Sequence, residues 1–481
     1  MTKKQWIGLS LAVLLFTGIL CIPGIQGLEP EGQRCLALFA GVFVLYMFEA
    51  IPAAVISIAI IPLLVILRIT DISEALEGFA SSSTYLVIGS FILAAAMIKT
   101  GLGKRITCGL LLLMGTGPLR ISFGLMIVNM VMAFLIPSST ARTAMLLPIC
   151  LSVIREYPGG KDEKRRYAAN ILLTLCVTSS TISAGILTST ISNPMAADYI
   201  RNATGQTVSY GSWFCWGFPP ALVMTVISWL IIQLVFRLKG NKEQKASGTP
   251  AVQDVSGYGR KYLKHQMEAL GKPKAPEILT GLVIMLTVLL WVGGGWIGID
   301  STSAAFVGAV LLLLPMCPVL EWKDCQSHIS LSVVFIISGG ISLGNAMAGT
   351  GASGWLADQV FGLLPKDISL SLVIILSIIV VQFMHVFFVG TATMANAFFP
   401  ILVSLAARME ADPLCIILPA AFMIGGYPVL MFFNTTPNIL CYDTGYMRSS
   451  DFVKTGIPIS IAACIVYSLC VRWYWPVVNM L

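Results

Sequence analysis

The chain has 481 residues, of which 57% are hydrophobic and 11% charged, with a net charge of +7. A soluble domain carries about 25% charge, so this composition excludes a soluble globular protein, and apolar runs near the ~20 residues of a bilayer crossing point to an all-α polytopic membrane protein. The runs do not alternate, which excludes a β-barrel, and the basic excess sits in loops, which is a membrane-topology signal rather than a nucleic-acid one.

Lys3 and Lys4 precede an apolar run from Ile7 to Ile22, and no small-x-small cleavage site follows Cys21-Ile22-Pro23, so the run reads as a first span and not as a signal peptide. Spans are predicted at 6–22, 35–50, 52–69, 84–100, 168–200, 212–236, 277–297, 302–320, 331–349, 413–443 and 453–476, eleven in all. Two further apolar regions, 120–155 and 368–408, are split by polar motifs into arms of about 14–18 residues, short for a full crossing, and read as re-entrant hairpins. The stretch 237–275 is rich in Lys, Gly, Ser and Pro and reads as a linker, within which Tyr258 to Leu270 suggests a short basic surface helix. The 12 cysteines are scattered without a CxxC pair and read as packing residues.

An N-terminus placed inside the cell puts Lys104, Arg105, Arg120, Lys161, Lys164, Arg165, Arg166, Lys323, Arg448 and Lys454 in the cytoplasm. It puts Glu29, Glu31, Asp71, Glu74, Asp300, Asp358, Glu410 and Asp412 outside, together with the C-terminus. The expected organisation is a first span and outer loop (1–34), a first repeat with its hairpin (35–236, hairpin 120–155), a cytoplasmic linker (237–275) and a second repeat (276–481, hairpin 368–408). Each repeat has an odd number of spans, so the two halves have inverted topology in the plasma membrane.

The repeats show themselves as echoes. Ser138-Ser139-Thr140-Ala141-Arg142-Thr143 after Pro137, leading to Pro148, returns as Gly390-Thr391-Ala392-Thr393-Met394, leading to Pro400. The two later prolines lie 252 residues apart. Ser189-Thr190-Ile191-Ser192-Asn193 with Asp198 returns as Asn434-Thr435-Thr436-Pro437-Asn438 with Asp443, at an offset of 245. Thr100-Gly101 matches Thr350-Gly351.

A hairpin tip exposes the start of its second helix within the membrane, with unpaired N–H groups and the positive end of the helix dipole. Ser138, Ser139 and Thr140 in one half, and Gly390, Thr391, Ala392 and Thr393 in the other, would aim two such ends at an anion. Arg142 adds a full charge whose planar fork suits a carboxylate or sulfate. Gly185, Thr188, Thr190 and Asn193 would unwind one span, and Asn434, Thr436, Pro437 and Asn438 another. Unwound backbone releases oxygens of the kind Na⁺ prefers, so Ser138, Gly185, Thr188, Thr391, Asn434 and Asn438 are candidate Na⁺ ligands. His385, three residues after Gln382, reads as a structural hydrogen-bonding residue, and Glu49 as structural. Two halves each broken by a polar stretch read as a secondary transporter with its substrate between the halves.

Over nearly its whole length the sequence resembles the divalent anion:sodium symporter family, which includes di- and tricarboxylate transporters. The resemblance is carried by Ser138-Ser139-Thr140, Thr190-Ile191-Ser192-Asn193, Thr435-Thr436-Pro437-Asn438 and the run Asp451-Phe452-Val453-Lys454-Thr455-Gly456-Ile457-Pro458. It implies a homodimer with an elevator mechanism and a dianionic substrate held by both tips, through Ser138, Ser139, Thr140, Arg142, Thr190, Asn193, Gly390, Thr391, Ala392, Thr393, Thr436 and Pro437. The family's motif asparagines are absent at both tips, and Thr140 to Thr143 is similar to the citrate/succinate antiporter branch. A fixed Arg142 cation there would take the place of a bound Na⁺.

The function expected is a secondary carrier for a di- or tricarboxylate (succinate, malate, fumarate, citrate or 2-oxoglutarate class), favoured as an exchanger. Na⁺ symport of the same anions and transport of a sulfate-type oxyanion are the alternatives, and an anion channel is the reading outside the class. No HExxH or P-loop is present and there are only three histidines, so no enzyme and no cofactor other than Na⁺ as a coupling ion is expected.

Overall fold

In a bilayer core the backbone can satisfy its own hydrogen bonds only by winding into helices, and each apolar run does so. A computed structural model describes residues 2–115, 117–136, 138–157, 160–237, 253–316, 319–361 and 368–481. Pro137 of the first echo, residues 238–252 of the linker and residues 317–318 of the span predicted at 302–320 lie outside the described residues. Among the described residues there is no strand.

Helix α1 (Lys3–Cys21) stands alone before the first repeat. That repeat runs α2 (Pro30–Phe48), α3 (Ala53–Ile66), α4 (Ile72–Ala75), a 3-10 turn (Glu77–Ala80), α5 (Ser82–Thr100) and α6 (Leu102–Met114). It continues with the hairpin helices α7 (Pro118–Leu135) and α8 (Ser139–Arg155), then α9 (Lys161–Ser183) and α10 (Ser192–Thr204) on either side of a break, and α11 (Tyr210–Val235). The linker contributes α12 (Gln253–Leu270).

The second repeat keeps the order: α13 (Ala275–Ile297), α14 (Ser301–Leu313), α15 (Trp322–His328), α16 (Leu331–Gly349) and α17 (Ala352–Phe361). Its hairpin is α18 (Leu370–Met384), a 3-10 turn (His385–Phe387) and α19 (Thr391–Arg408). α20 (Pro413–Gly426) and α21 (Thr436–Tyr442) flank the second break, and α22 (Ser449–Leu469) follows.

Three features differ from the sequence expectation. Residues 102–114, expected as a charged loop, form a helix that buries Gly103, Thr107, Cys108 and Leu111 and leaves Lys104 and Arg105 half-buried. The spans expected at 52–69 and 302–320 form helices of 14 and 13 residues. The first ends near Arg68, whose φ of 52° is left-handed, and the second at Leu314, held extended by the following Pro315. Nine helices among the described residues are long and apolar enough to cross a membrane. Two of these, Pro118–Leu135 and Leu370–Phe387, are first arms of the hairpins and turn back at once into α8 and α19.

The helices pack in two layers. One contains α1–α5 and α13–α16, with α3 against α16 and, in mirrored fashion, α14 against α5. The other contains both hairpins, both broken helices, α11 and α22. Lys99 at the end of α5 pairs with Asp324 at 2.6 Å, which holds that carboxyl below the usual carboxylate range. Arg105 grips the buried Glu277 at the start of α13 and the carbonyl of Gly271 after α12, at 2.9 Å for the latter.

The seam between layers is close because α16 lacks side chains there. Gly340 abuts the carboxamide of Asn396 on α19 and Gly344 abuts the Tyr199 hydroxyl on α10, while Gly339 lets α3 of its own layer approach at Ser57. Asn396 Nδ2 donates to the Ile336 carbonyl at 2.8 Å and Tyr199 Oη to the Gly340 carbonyl at 2.9 Å. A methyl at Gly340 would overlap Asn396 Oδ1. Gly340→Ala is expected to destabilise the protein by about 1–3 kcal/mol. Gly340→Ala with Asn396→Ala should cost less than the sum of the two single changes. Thermal unfolding in detergent measures both.

Candidate functional site

The two tips and the two breaks meet at one cavity of about 290 Å³. Tip one contributes Ser138, Ser139 and Thr140; tip two contributes Gly390, Thr391, Ala392 and Thr393; the breaks contribute Thr188, Thr190, Ile191, Thr435 and Thr436. The apolar wall is made by Ala53, Val87, Phe91, Val333, Ile336, Val389, Phe433 and Ile439.

The electrostatics follow from helix starts. α8 begins at Ser139, α10 at Ser192 beside the lining residue Ile191, and α19 at Thr391. Helices of 17, 13 and 18 residues thus start at the cavity wall, with α21 adding a short fourth. Each start carries N–H groups without helical partners and a partial positive charge. Among the described residues no Lys, Arg or His lines the cavity, and the one charged side chain there is Glu49, at the end of α2 in a left-handed turn. Sequence reasoning took Glu49 as purely structural, and only its left-handed turn brings it to the wall.

Hydroxyl roles divide. Ser138 caps α8, its Oγ accepting from the Ala141 N–H at 3.2 Å. Thr393 is spent internally, donating to the Gly390 and Val389 carbonyls at 2.9 and 3.1 Å. The hydroxyls of Ser139, Thr140, Thr190, Thr391, Thr435 and Thr436 make no hydrogen bond among the described residues and remain available to a bound molecule. Gly390 has φ 99°, a conformation open to glycine, and its N–H donates to the Asn434 carbonyl at 3.1 Å.

Arg142 is not in the cavity wall. It is fully buried behind tip one. Nη1 donates to the Ile136 carbonyl at 2.6 Å and Ser189 Oγ at 2.9 Å; Nη2 donates to the Ser179 carbonyl at 2.9 Å and Ser183 Oγ at 2.5 Å. Ile136 is where α7 ends, and Ser179 to Ser183 is the last turn of α9. The guanidinium therefore joins two helix C-termini, where carbonyls lack helical partners and the dipole is negative. It has no carboxylate partner among the described residues.

Asn193, Asn434, Asn438, Gly185 and Pro437 also lie outside the wall, against the expectation that they touch substrate or ion. Asn193 Nδ2 spans the first break, donating to the carbonyls of Ser183 at 2.9 Å and Ile186 at 3.0 Å. Asn438 Nδ2 does the same in the second, to Pro428 at 2.8 Å and Met431 at 3.1 Å. Both reach back ten and seven residues. Asn434 ties break two to tip two, donating to the carbonyls of His385 at 2.5 Å and Phe388 at 3.2 Å and accepting from the Met431 N–H at 2.7 Å. Gly185 has no side chain because its Cβ would stand 2.6 Å from Phe218 Cα of α11, and Pro437 opens the first turn of α21. His385 is buried, with its ring nitrogens at the carbonyls of Gln382 and Ile424.

The family model of the sodium:sulfate symporter transmembrane region matches residues 3–481. The chain is similar to human Na(+)/dicarboxylate cotransporter 3, at 23% identity over 98% of this chain and 92% of that one. It is similar to the L-tartrate/succinate antiporter of Escherichia coli, at 25% identity over 97% of each. Among solved structures, MtrF of Neisseria gonorrhoeae, from a class of antimetabolite efflux pumps, shares the fold with a TM-score of 0.50 at 13% identity, covering 98% of this chain and 95% of that one.

The matched asparagine bridges carry a stability prediction. Asn193→Ala and Asn438→Ala each leave two buried carbonyls without their donor. Each should destabilise the protein by about 1–3 kcal/mol, and by similar amounts, in thermal unfolding of purified protein.

Proposed function

The chain belongs to the sodium:sulfate symporter family of membrane transporters, and on that premise we propose that it carries a di- or tricarboxylate by exchange. The supporting observation is the cavity itself: three long helix starts and free hydroxyls from both repeats converge where, among the described residues, no basic side chain lines the wall. Such a site holds a dianion by oriented dipoles, with the hydroxyls of Thr140 and Thr391 as donors to its two ends. By family resemblance the protein works as a homodimer, and the hairpin-bearing layer moves as an elevator against the other. Its N-terminus lies in the cytoplasm, as the loop charges favour.

Exchange is favoured by the placement of Arg142. Its guanidinium occupies the oxygen-lined space behind tip one that would otherwise suit Na⁺. An unpaired charge is costly to move through a low-dielectric region, so the empty carrier resists switching sides. A bound dianion close to the tip compensates that charge and releases the block. Na⁺ symport is the second reading, favoured by the buried Oδ1 atoms of Asn193 and Asn438, which have no protein partner.

Efflux of labelled succinate from preloaded proteoliposomes tests the choice. External succinate should accelerate efflux strongly, and replacing Na⁺ by K⁺ should change nothing. Concentrative uptake into empty vesicles under a Na⁺ gradient would overturn exchange. Thr140→Val keeps shape and removes a hydroxyl, and is expected to weaken substrate binding by about 1–3 kcal/mol, read as a raised KM for exchange.

A further inference from the structure

Two carboxylates hold matching places in the repeats, and the fold treats them differently. Asp198 follows Asn193 by five residues, as Asp443 follows Asn438. Asp198 is 3% exposed. Its Oδ2 accepts the backbone N–H of Ser83 at 2.8 Å and its Oδ1 accepts Arg201 at 2.9 Å, while Ser83 Oγ donates to the Pro194 carbonyl. Ser83 is the second residue of α5, so the carboxylate takes one of the N–H groups that a helix start leaves open. This contact joins α10 in one layer to α5 in the other.

The counterpart in the second repeat is Ser332. It too is the second residue of its helix, α16, and it follows the N-cap serine Ser330 as Ser83 follows the N-cap serine Ser81. Ser332 and Asp443 are both exposed. Neither the Ser332 N–H nor the Asp443 carboxylate has a partner among the described residues, and Ser330 makes no side-chain cap to α16. The same elements border the cavity: Val333 and Ile336 of α16 and Ile439 of α21 are in its wall. One pair is shut and buried, and its counterpart is open beside the site.

Inverted repeats that trade conformations between inward- and outward-facing states trade their contacts as well. We propose that Asp198 with Ser83, and Asp443 with Ser332, are alternating clasps. The first holds the state seen here. In the opposite-facing state it opens, and the Asp443 carboxylate caps the start of α16. A carboxylate on helix-terminal N–H groups is a charge-assisted bond, and two clasps of matched chemistry keep the two states close in free energy, so that a substrate can shift the balance. The proposal rests on the carrier reading above and adds to it the residues that latch each state.

Cysteine labelling in detergent tests it without reference to sidedness. Ser332→Cys reports the state seen here, and Ser83→Cys reports the opposite one, each with exposed Cys21 and Cys215 replaced by serine. Asp198→Asn should slow maleimide labelling of the first reporter, and Asp443→Asn that of the second, each by about tenfold. Asp443→Ala, at a position exposed in this structure, is the second variant should Asp198→Asn fail to fold. Succinate exchange is measured on the protein carrying none of these substitutions. Intact exchange with no change in Ser83→Cys labelling on loss of the Asp443 carboxylate overturns the clasps alone. Absence of exchange for any carboxylate overturns the carrier reading and the clasps with it. Slower labelling of each reporter on loss of its paired aspartate supports the proposal.

Discussion

The structure depends on one constraint: backbone that leaves the helix inside a membrane must find its hydrogen-bond partners within the protein. Among the described residues such places include the two tips and the two breaks, which meet at one cavity. Asn193 and Asn438 hold the two breaks from within. Arg142 and Asn434 tie each break to its own tip. Only after these internal demands are met do helix starts and free hydroxyls remain to face a cavity. The site is the residue of an accounting that the fold must close first.

The repeats share this layout but solve it with different chemistry. The first ties the end of α7 to its break with a guanidinium, through Ile136 and Ser189. In the second the tie between Phe388, at the matching end of the hairpin arm, and the break is the carboxamide of Asn434, with a glycine at the tip whose N–H answers the Asn434 carbonyl. One half therefore carries a full positive charge behind its tip, and the other carries His385 held between two carbonyls. Inverted topology makes the halves geometrically interchangeable, while the charge makes them electrostatically unequal. On the exchange reading proposed above, that inequality would place coupling in the first repeat.

The sequence made the architecture legible because matched polar interruptions in apolar runs have few structural explanations. The tips at Ser138 to Thr140 and Gly390 to Thr393, and the breaks around Thr190 and Thr436, all reach one cavity. The partition of their side chains was not legible. Arg142 reads as a substrate ligand when only its distance along the chain from Thr140 is known. Its direction is set by helix geometry, which turns the side chain of the fourth residue of α8 away from the tip and towards the end of α9. The asparagines read as ligands for the same reason, although their common reach of ten and seven residues is a regularity that a search for bracing donors would find. α6 was missed because Lys104 and Arg105 marked a loop, while its apolar residues, Leu102, Ile106, Leu110 and Leu111, recur at helical spacing.

A site built from dipoles has consequences that a site built from charges lacks. A cavity lined by lysine or arginine would hold a dianion tightly and release it slowly, and would remain cationic when empty. Helix starts give partial charges that are fixed in direction and need no reorganisation, and their attraction falls off within a turn as the anion leaves. On the carrier reading, Glu49 at the wall would sharpen this release, since its charge opposes that of an anion. On the carrier reading proposed above, the formal charge that would balance the anion sits behind tip one, in Arg142, whose four hydrogen bonds all go to protein carbonyls and hydroxyls. Recognition and charge compensation are thereby assigned to different residues.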